Sequence, residues 1–215
     1  MLKQALSGIL FILLAVAGFS QSIKQCGERK KEVMQQIVQQ GRNRDTAALR
    51  QLGNLNSEWQ ECVVGKEIPD FKARTLSGEK LDTKKLRGKI VVLNFWFINC
   101  APCVAEMPAL NKLVSDYKDK DVVFISITHD DKASVKQDFL PKHPFDFTIV
   151  TDARSIEEDF SIGSFPSTFI VDADGKVQKA WTGGATNERA KTEAYNKAKP
   201  VIDELLQKKA GVAKQ

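Results

Sequence analysis

The chain has 215 residues, 42% of them hydrophobic, and 32 Lys and Arg against 27 Asp and Glu give it a net charge of +5. That length suits one ordinary domain plus an addition, and the apolar fraction can fill a core without relying on cross-links. The charges are dispersed apart from short groups such as Lys84-Lys85 and Lys208-Lys209, which describes a solvated surface and excludes a nucleic-acid-binding stripe.

Residues 1–20 read as a targeting segment. Lys3 supplies a positive start, Leu6 to Phe19 carries no charge, and Ala15-Val16-Ala17 and Gly18-Phe19-Ser20 each place small residues at −3 and −1 of a cleavage site. The run falls short of the ~20 apolar residues a membrane span needs, so a signal peptide is expected. The mature protein is then periplasmic or otherwise extracytoplasmic, where its four cysteines can form disulfides.

Residues 21–62 are predicted to form an N-terminal helical hairpin. In its second arm Ala48, Leu52, Leu55, Trp59 and Cys62 advance by fours and threes along one face. The first arm places Cys26, Val33 and Ile37 together, with Met34 and Val38 beside them. Gly41 to Arg44 makes the turn, and Asp45 or Thr46 caps the second helix. Cys26 and Cys62 lie at nearly equal distances from that turn, side by side at the open end. A structural Cys26–Cys62 disulfide would close a loop of about 35 residues and contribute ~3–4 kcal/mol by chain entropy. Two free buried thiols, or a second exchanging redox pair, are the alternatives.

From Val63 the pattern changes to that of a second unit, residues 63–209. Phe71 to Arg74 and Glu79 to Leu81 form a hairpin around Gly78, and Asp82 to Leu86 a short helix. Ile90 to Ile98 is an apolar and aromatic run typical of a central parallel strand. Helical spacing of Met107, Leu110, Leu113, Val114 and Tyr117 follows. Val122 to Thr128 reads as a second buried strand, Lys132 to Leu140 as a helix, Phe147 to Val150 as a strand and Ser155 to Phe160 as a short helix. Ser167 to Val171 and Lys176 to Trp181 pair across Asp174-Gly175. A last helix over Asn187 to Lys208 turns Ala190, Ala194, Ala198, Val201 and Leu205 to the sheet. The expected fold is α/β, a mixed central sheet with helices on both faces.

Cys100-Ala101-Pro102-Cys103 sits where the central strand gives way to a helix N-terminus. Unpaired backbone N–H groups and the helix dipole there favour negative charge and lower a thiol pKa from about 8.5 toward about 7. A zinc or copper site would want further ligands at close spacing, and the two histidines, His129 and His143, form no such pair. An inert disulfide is the other alternative; a dithiol–disulfide enzyme suits the position best.

Trp96 to Cys103, then Glu106 and Pro108, Gly163-Ser164-Phe165-Pro166-Ser167-Thr168, Asp172-Ala173-Asp174-Gly175 and Gly183-Gly184 together resemble the thioredoxin fold, and within it the extracytoplasmic thiol–disulfide oxidoreductases of the TlpA/ResA type. The resemblance covers about residues 63–184 and leaves the hairpin outside. It implies Cys100 as an exposed attacking thiolate and Cys103 as the buried resolving thiol, with no cofactor beyond that couple and no metal. Pro102 stands where strongly oxidising relatives carry histidine, which favours a reducing poise. Glu106 shares the helix face of Cys103 and could relay its proton; Asn94 takes the place of the acid that thioredoxins hold on the central strand. Phe165-Pro166 resembles the cis-proline loop, whose backbone would pair with an extended substrate. Trp96 joins these as a substrate-side residue or as packing near the site. His129 is expected to be a solvated loop residue, and Pro108 to kink its helix.

The implied partners are exported proteins bearing thiols or disulfides and a membrane thiol donor of the DsbD/CcdA kind. Three alternatives stand beside a reductase. The same chemistry could run as a disulfide-forming oxidase. A peroxiredoxin-like peroxidase would need a threonine at position 97, which is Phe97. A metal-binding module would need soft ligands around the pair.

Overall fold

The apolar run at the centre of the sequence is also the centre of the sheet. In the computed structural model, which describes residues 22–41 and 46–212 (side chains of 40–53 excepted), β3 (Ile90–Trp96) is buried along its whole length. It lies parallel to β4 (Val122–Thr128) and antiparallel to β6 (Ser167–Val171). With β5 (Thr148–Val150) and β7 (Val177–Thr182) the order across the sheet is β5-β4-β3-β6-β7. β1 (Lys72–Arg74) and β2 (Lys80–Asp82) form a separate antiparallel ribbon. The turn from β6 to β7 is held by Asp172, whose Oδ1 accepts from the N–H groups of Asp174 and Lys176, and by Gly175 at φ +82°, where a Cβ would be strained.

Alternation along β3 divides the core in two. Ile90, Val92 and Trp96 face α3 (Ala101–Asp116) and α5 (Ala190–Val212), packing on Met107, Leu110, Leu113, Ala198 and Ile202. Val91, Leu93 and Phe95 face the other way, toward α4 (Arg154–Asp159) and the ends of the helix pair α1 (Ile23–Gly41) and α2 (Thr46–Val63). There Phe95, Phe160 and Phe169 meet with ring centroids 5.0–5.8 Å apart, and Trp59 of α2 packs edge-on to Phe169 at 5.5 Å. The helix pair is thus part of the second core layer. A disulfide joins Cys26 to Cys62 with their Cα atoms 5.8 Å apart. The α/β architecture with its N-terminal helix pair is the expected one; of the expected turn over 41–44, Gly41 is the last residue of α1 and Thr46 the first of α2, while the expected signal peptide, residues 42–45 with the Asp45 cap, and the facing of Ala48 and Leu52 lie outside the described residues.

Two elements differ from expectation. The helix predicted over 132–140 takes π-helical bonding over Ser134–Phe139, with Leu140 N–H bonded to the carbonyl of Val135 five residues back. The wider turn still brings Val135 and Phe139 into the core. In α5 it is Ile202, fully buried, rather than the half-buried Val201 that completes the inner face.

Candidate active site

Cys100 is the N-cap of α3, and its Sγ accepts the Cys103 N–H at 3.3 Å. Pro102 occupies the first turn, where no intrahelical donor is needed; Pro108 lies inside the helix and removes one backbone bond. The two cysteines are joined in a disulfide with Cα atoms 5.2 Å apart. Cys100 is 4% exposed and Cys103 1%. The expectation of an exposed Cys100 is therefore corrected: in the disulfide state both sulfurs lie within the α3/α5 core layer, and only a small part of Cys100 reaches the surface.

Behind the disulfide lies a buried polar chain. Asn94, on the α3-facing side of β3, donates from Nδ2 both to Glu106 Oε1 and to Thr168 Oγ1, each at 3.0 Å. Glu106 is 3% exposed, and burial pushes its carboxyl from 4.5 up to about 8, the Asn94 hydrogen bond and the Lys197 charge opposing that rise. At neutral pH it is mostly a carboxylic acid that can give or take a proton. Glu106 Oε2, the Pro166 ring and the Pro102 carbonyl all converge on Gly184, where an added Cβ would stand 3.5, 3.4 and 3.6 Å from them. The turn after β7 thus brings Glu106, Pro166 and the backbone between the two cysteines together at one point.

The Phe165–Pro166 peptide bond is cis. The Pro166 carbonyl accepts from Gly183 N–H, and the Ser164 carbonyl from the Ser167 hydroxyl. Among the described residues no backbone hydrogen bond is made by Phe165 itself. Its ring stands edge-on to Phe97 at 5.2 Å, and the two form a wall packed against the core layer that holds the cysteines. Trp96 is not part of that wall. It is fully buried between Phe139 and Phe145, on the inward face of β3, and has no surface to offer a substrate; the expectation of a substrate-side Trp96 is corrected to packing.

Three residues at this edge were not singled out by sequence, or were misread. His129 is not a solvated loop residue: its ring stacks on Phe97 at 5.6 Å and stands edge-on to Phe165 at 5.8 Å. Its Nδ1 lies 3.0 Å from both carboxylate oxygens of Glu157. Glu157 is buried, and burial raises its pKa while the His129 contact opposes that. Asp130 accepts the Ile98 N–H and the Thr128 hydroxyl, each at 2.7 Å, and so pins the loop leading to Cys100. Only His129 carried any signal, its place at the end of a buried strand; Glu157 sits in an acidic run and is 28 residues away.

No group of three or more His, Cys, Asp or Glu side chains among the described residues is arranged to hold a metal ion.

This geometry of a disulfide at a helix start, a buried acid behind it and a proline loop across it agrees with comparison to known proteins. Residues 64–180 match the AhpC/TSA family. The chain is 37% identical over 131 residues to the thiol-disulfide oxidoreductase ResA of Bacillus cereus, covering 60% of this chain and 76% of that protein. The chain belongs to the AhpC/TSA family and, within the thioredoxin fold, to the ResA type of thiol–disulfide oxidoreductase. It is also 38% identical over 126 residues to the thioredoxin-like protein YneN of Bacillus subtilis, covering 58% of this chain and 74% of that one. Among solved structures, a thioredoxin-family thiol:disulfide interchange protein of Chlorobium tepidum matches in fold with a TM-score of 0.56 at 19% identity, over 66% of this chain and 97% of that one. A secreted disulfide oxidoreductase of Mycobacterium tuberculosis matches with a TM-score of 0.52 at 28% identity, over 60% and 95%. The family match begins at residue 64, just past Cys62, so it does not include the helix pair.

Proposed function

We propose that this enzyme is exported, that Cys100 and Cys103 are its redox couple, and that it reduces disulfides in other exported proteins. The observation that carries this reading is the Cys100–Cys103 disulfide at the start of α3, with the buried Glu106 reaching the same point as Pro166. The targeting segment at 1–20 and the secreted Mycobacterium tuberculosis relative support the location, and Pro102 supports the reducing direction.

In the reduced enzyme the Cys100 thiolate, stabilised by the Cys103 N–H and the other free amides of the first turn, attacks one sulfur of the substrate disulfide. A mixed disulfide forms, and the other substrate sulfur leaves as a thiolate that takes up a proton. Cys103 passes its proton, directly or through water, to Glu106 in the minor fraction of molecules that carry it as carboxylate at neutral pH, and then attacks Cys100 Sγ. The Cys100–Cys103 disulfide forms and the second substrate thiolate leaves. Two electrons pass from enzyme to substrate, and a membrane thiol donor of the DsbD/CcdA kind returns them. Phe165 supplies free backbone groups for the substrate strand, and no cofactor takes part. Phe97, packed between His129 and Phe165, leaves no hydroxyl where a peroxidase would need one.

The test is trapping. A Cys103→Ser variant, reduced and mixed with a disulfide-bonded protein such as insulin, is expected to accumulate a mixed disulfide through Cys100, whereas Cys100→Ser forms none. Adducts of equal yield in both variants would refute the assigned roles.

A further inference from the structure

The helix pair that the family match leaves out reaches the substrate side of the site. Its α1 packs against the segment between α4 and β6: a Cβ on Gly27 would come within 2.5 Å of Ser161 Cβ and 2.7 Å of its carbonyl oxygen, so only glycine permits this approach. One turn further on, the stem of Lys31 lies over Gly163. Between α1 and residues 161–164 runs a groove of about 190 Å³, several times the ~30 Å³ share of one water and enough for a medium side chain. Met34, Trp59 and Ile162 give it apolar walls, and Lys30 and Lys31 supply its only charges among the described residues. The groove also touches Ser164 and Ser167, the residues that flank Phe165-Pro166. It therefore adjoins the Phe165-Pro166 loop, to which the substrate chain is assigned.

Lys30 shows what the groove lacks. Its ammonium sits 4.9 Å from the Trp59 ring centroid, and no carboxylate among the described residues lies within ion-pair distance of it. Burial pushes its pKa down to about 8. Glu58 and Glu61 line the neighbouring depression that Lys30 shares with Arg29, but the described lining of this groove holds a half-buried cation over an aromatic ring, a second lysine and no acid, a place for an anion flanked by apolar surface.

We propose that this groove is an extension of the substrate site, and that it receives the substrate chain a few residues from its reacting cysteine, taking an apolar side chain between Met34, Trp59 and Ile162 and an acidic one against Lys30 and Lys31. The proposal rests on the reductase reading for the identity of the occupant, a segment of the substrate polypeptide. The N-terminal helix pair is then a specificity element: it selects exported proteins with an apolar-acidic sequence near the disulfide, and it is clamped in position by Cys26–Cys62, one residue before Gly27.

Binding can be read apart from the chemistry. Fluorescent peptides with serine in place of the reacting cysteine, carrying Leu-Asp or Leu-Lys two to four residues to either side, are titrated by anisotropy against the full chain with its disulfides intact. The Leu-Asp peptide is expected to bind about tenfold more tightly, ~1.4 kcal/mol, and to lose that preference in Lys30→Met and in Lys31→Glu. Lys31 is exposed, so its variant keeps the fold even if Lys30→Met does not. Equal binding of the two peptides by the wild type, or a preference unchanged in both variants, overturns the proposal. Reduction of a small aromatic disulfide by the wild-type protein reports the redox reading separately: turnover without charge preference sinks the groove alone, and preference without turnover sinks the reductase alone.

Discussion

Replacing Glu106 by Gln removes a buried ionisable group while keeping an acceptor for Asn94. In the unfolded chain a glutamate ionises near 4.5, whereas in the fold it holds its proton until about 8. Between those values the folded state binds more protons than the unfolded one, so stability falls as pH rises and levels off above the folded pKa. At 1.36 kcal/mol per unit of pKa, this one group should cost the oxidised wild-type protein ~4 kcal/mol between pH 5 and pH 9. Every other titrating group is common to both proteins, so the wild-type minus Glu106→Gln difference isolates it. Equilibrium urea unfolding of the two oxidised proteins at half-unit pH steps measures that difference. The Gln variant is expected to gain on the wild type steadily from pH 5 to 8 and no further. Parallel stability curves over that range would refute the burial argument, and with it the idea that Glu106 holds a proton at neutral pH.

Other consequences follow from packing and covalent structure. Replacing both Cys26 and Cys62 by Ala opens a loop spanning 36 residues and should lower stability by ~4 kcal/mol on the chain-entropy estimate, read from denaturant midpoints; no change would remove its structural role. Gly27→Ala should cost ~1–3 kcal/mol, since its methyl meets Ser161 backbone and Cβ, and should speed proteolysis of the helix pair. Trp96→Phe should destabilise the protein by ~1–3 kcal/mol through lost packing on Phe139 and Phe145, yet leave KM for a disulfide substrate within about twofold; a large KM change would restore Trp96 to the substrate side.

Much of this site was legible because its parts are local. A fully apolar strand, a CxxC at a helix start and an acid three residues on are fixed by neighbours in sequence, as is the Asp-Gly turn between β6 and β7. Cys26 and Cys62 could be brought together by counting along two helical arms. What escaped depends on contacts across the fold. The π-helix at Ser134–Phe139 has the same apolar spacing as an α-helix and differs only in which carbonyl each N–H finds. His129 and Glu157 meet because β4 and α4 are neighbours, a juxtaposition that no periodicity reveals. Trp96 looked available because it stands close to Cys100 in sequence, but strand alternation turns it inward. Lys30 and Lys31 become neighbours of the site only through the packing of α1 on Ser161 and Gly163.

As a reducing couple, Cys100–Cys103 must have a low reduction potential. Its potential can be measured on the intact chain by equilibration in graded thiol redox buffers and alkylation, with the state of Cys100 and Cys103 read by mass spectrometry so that Cys26–Cys62 does not contribute. A value at or below about −230 mV, toward thioredoxin, is the expected result. A value near about −120 mV, that of a strong disulfide donor, would reverse the proposed direction of electron flow.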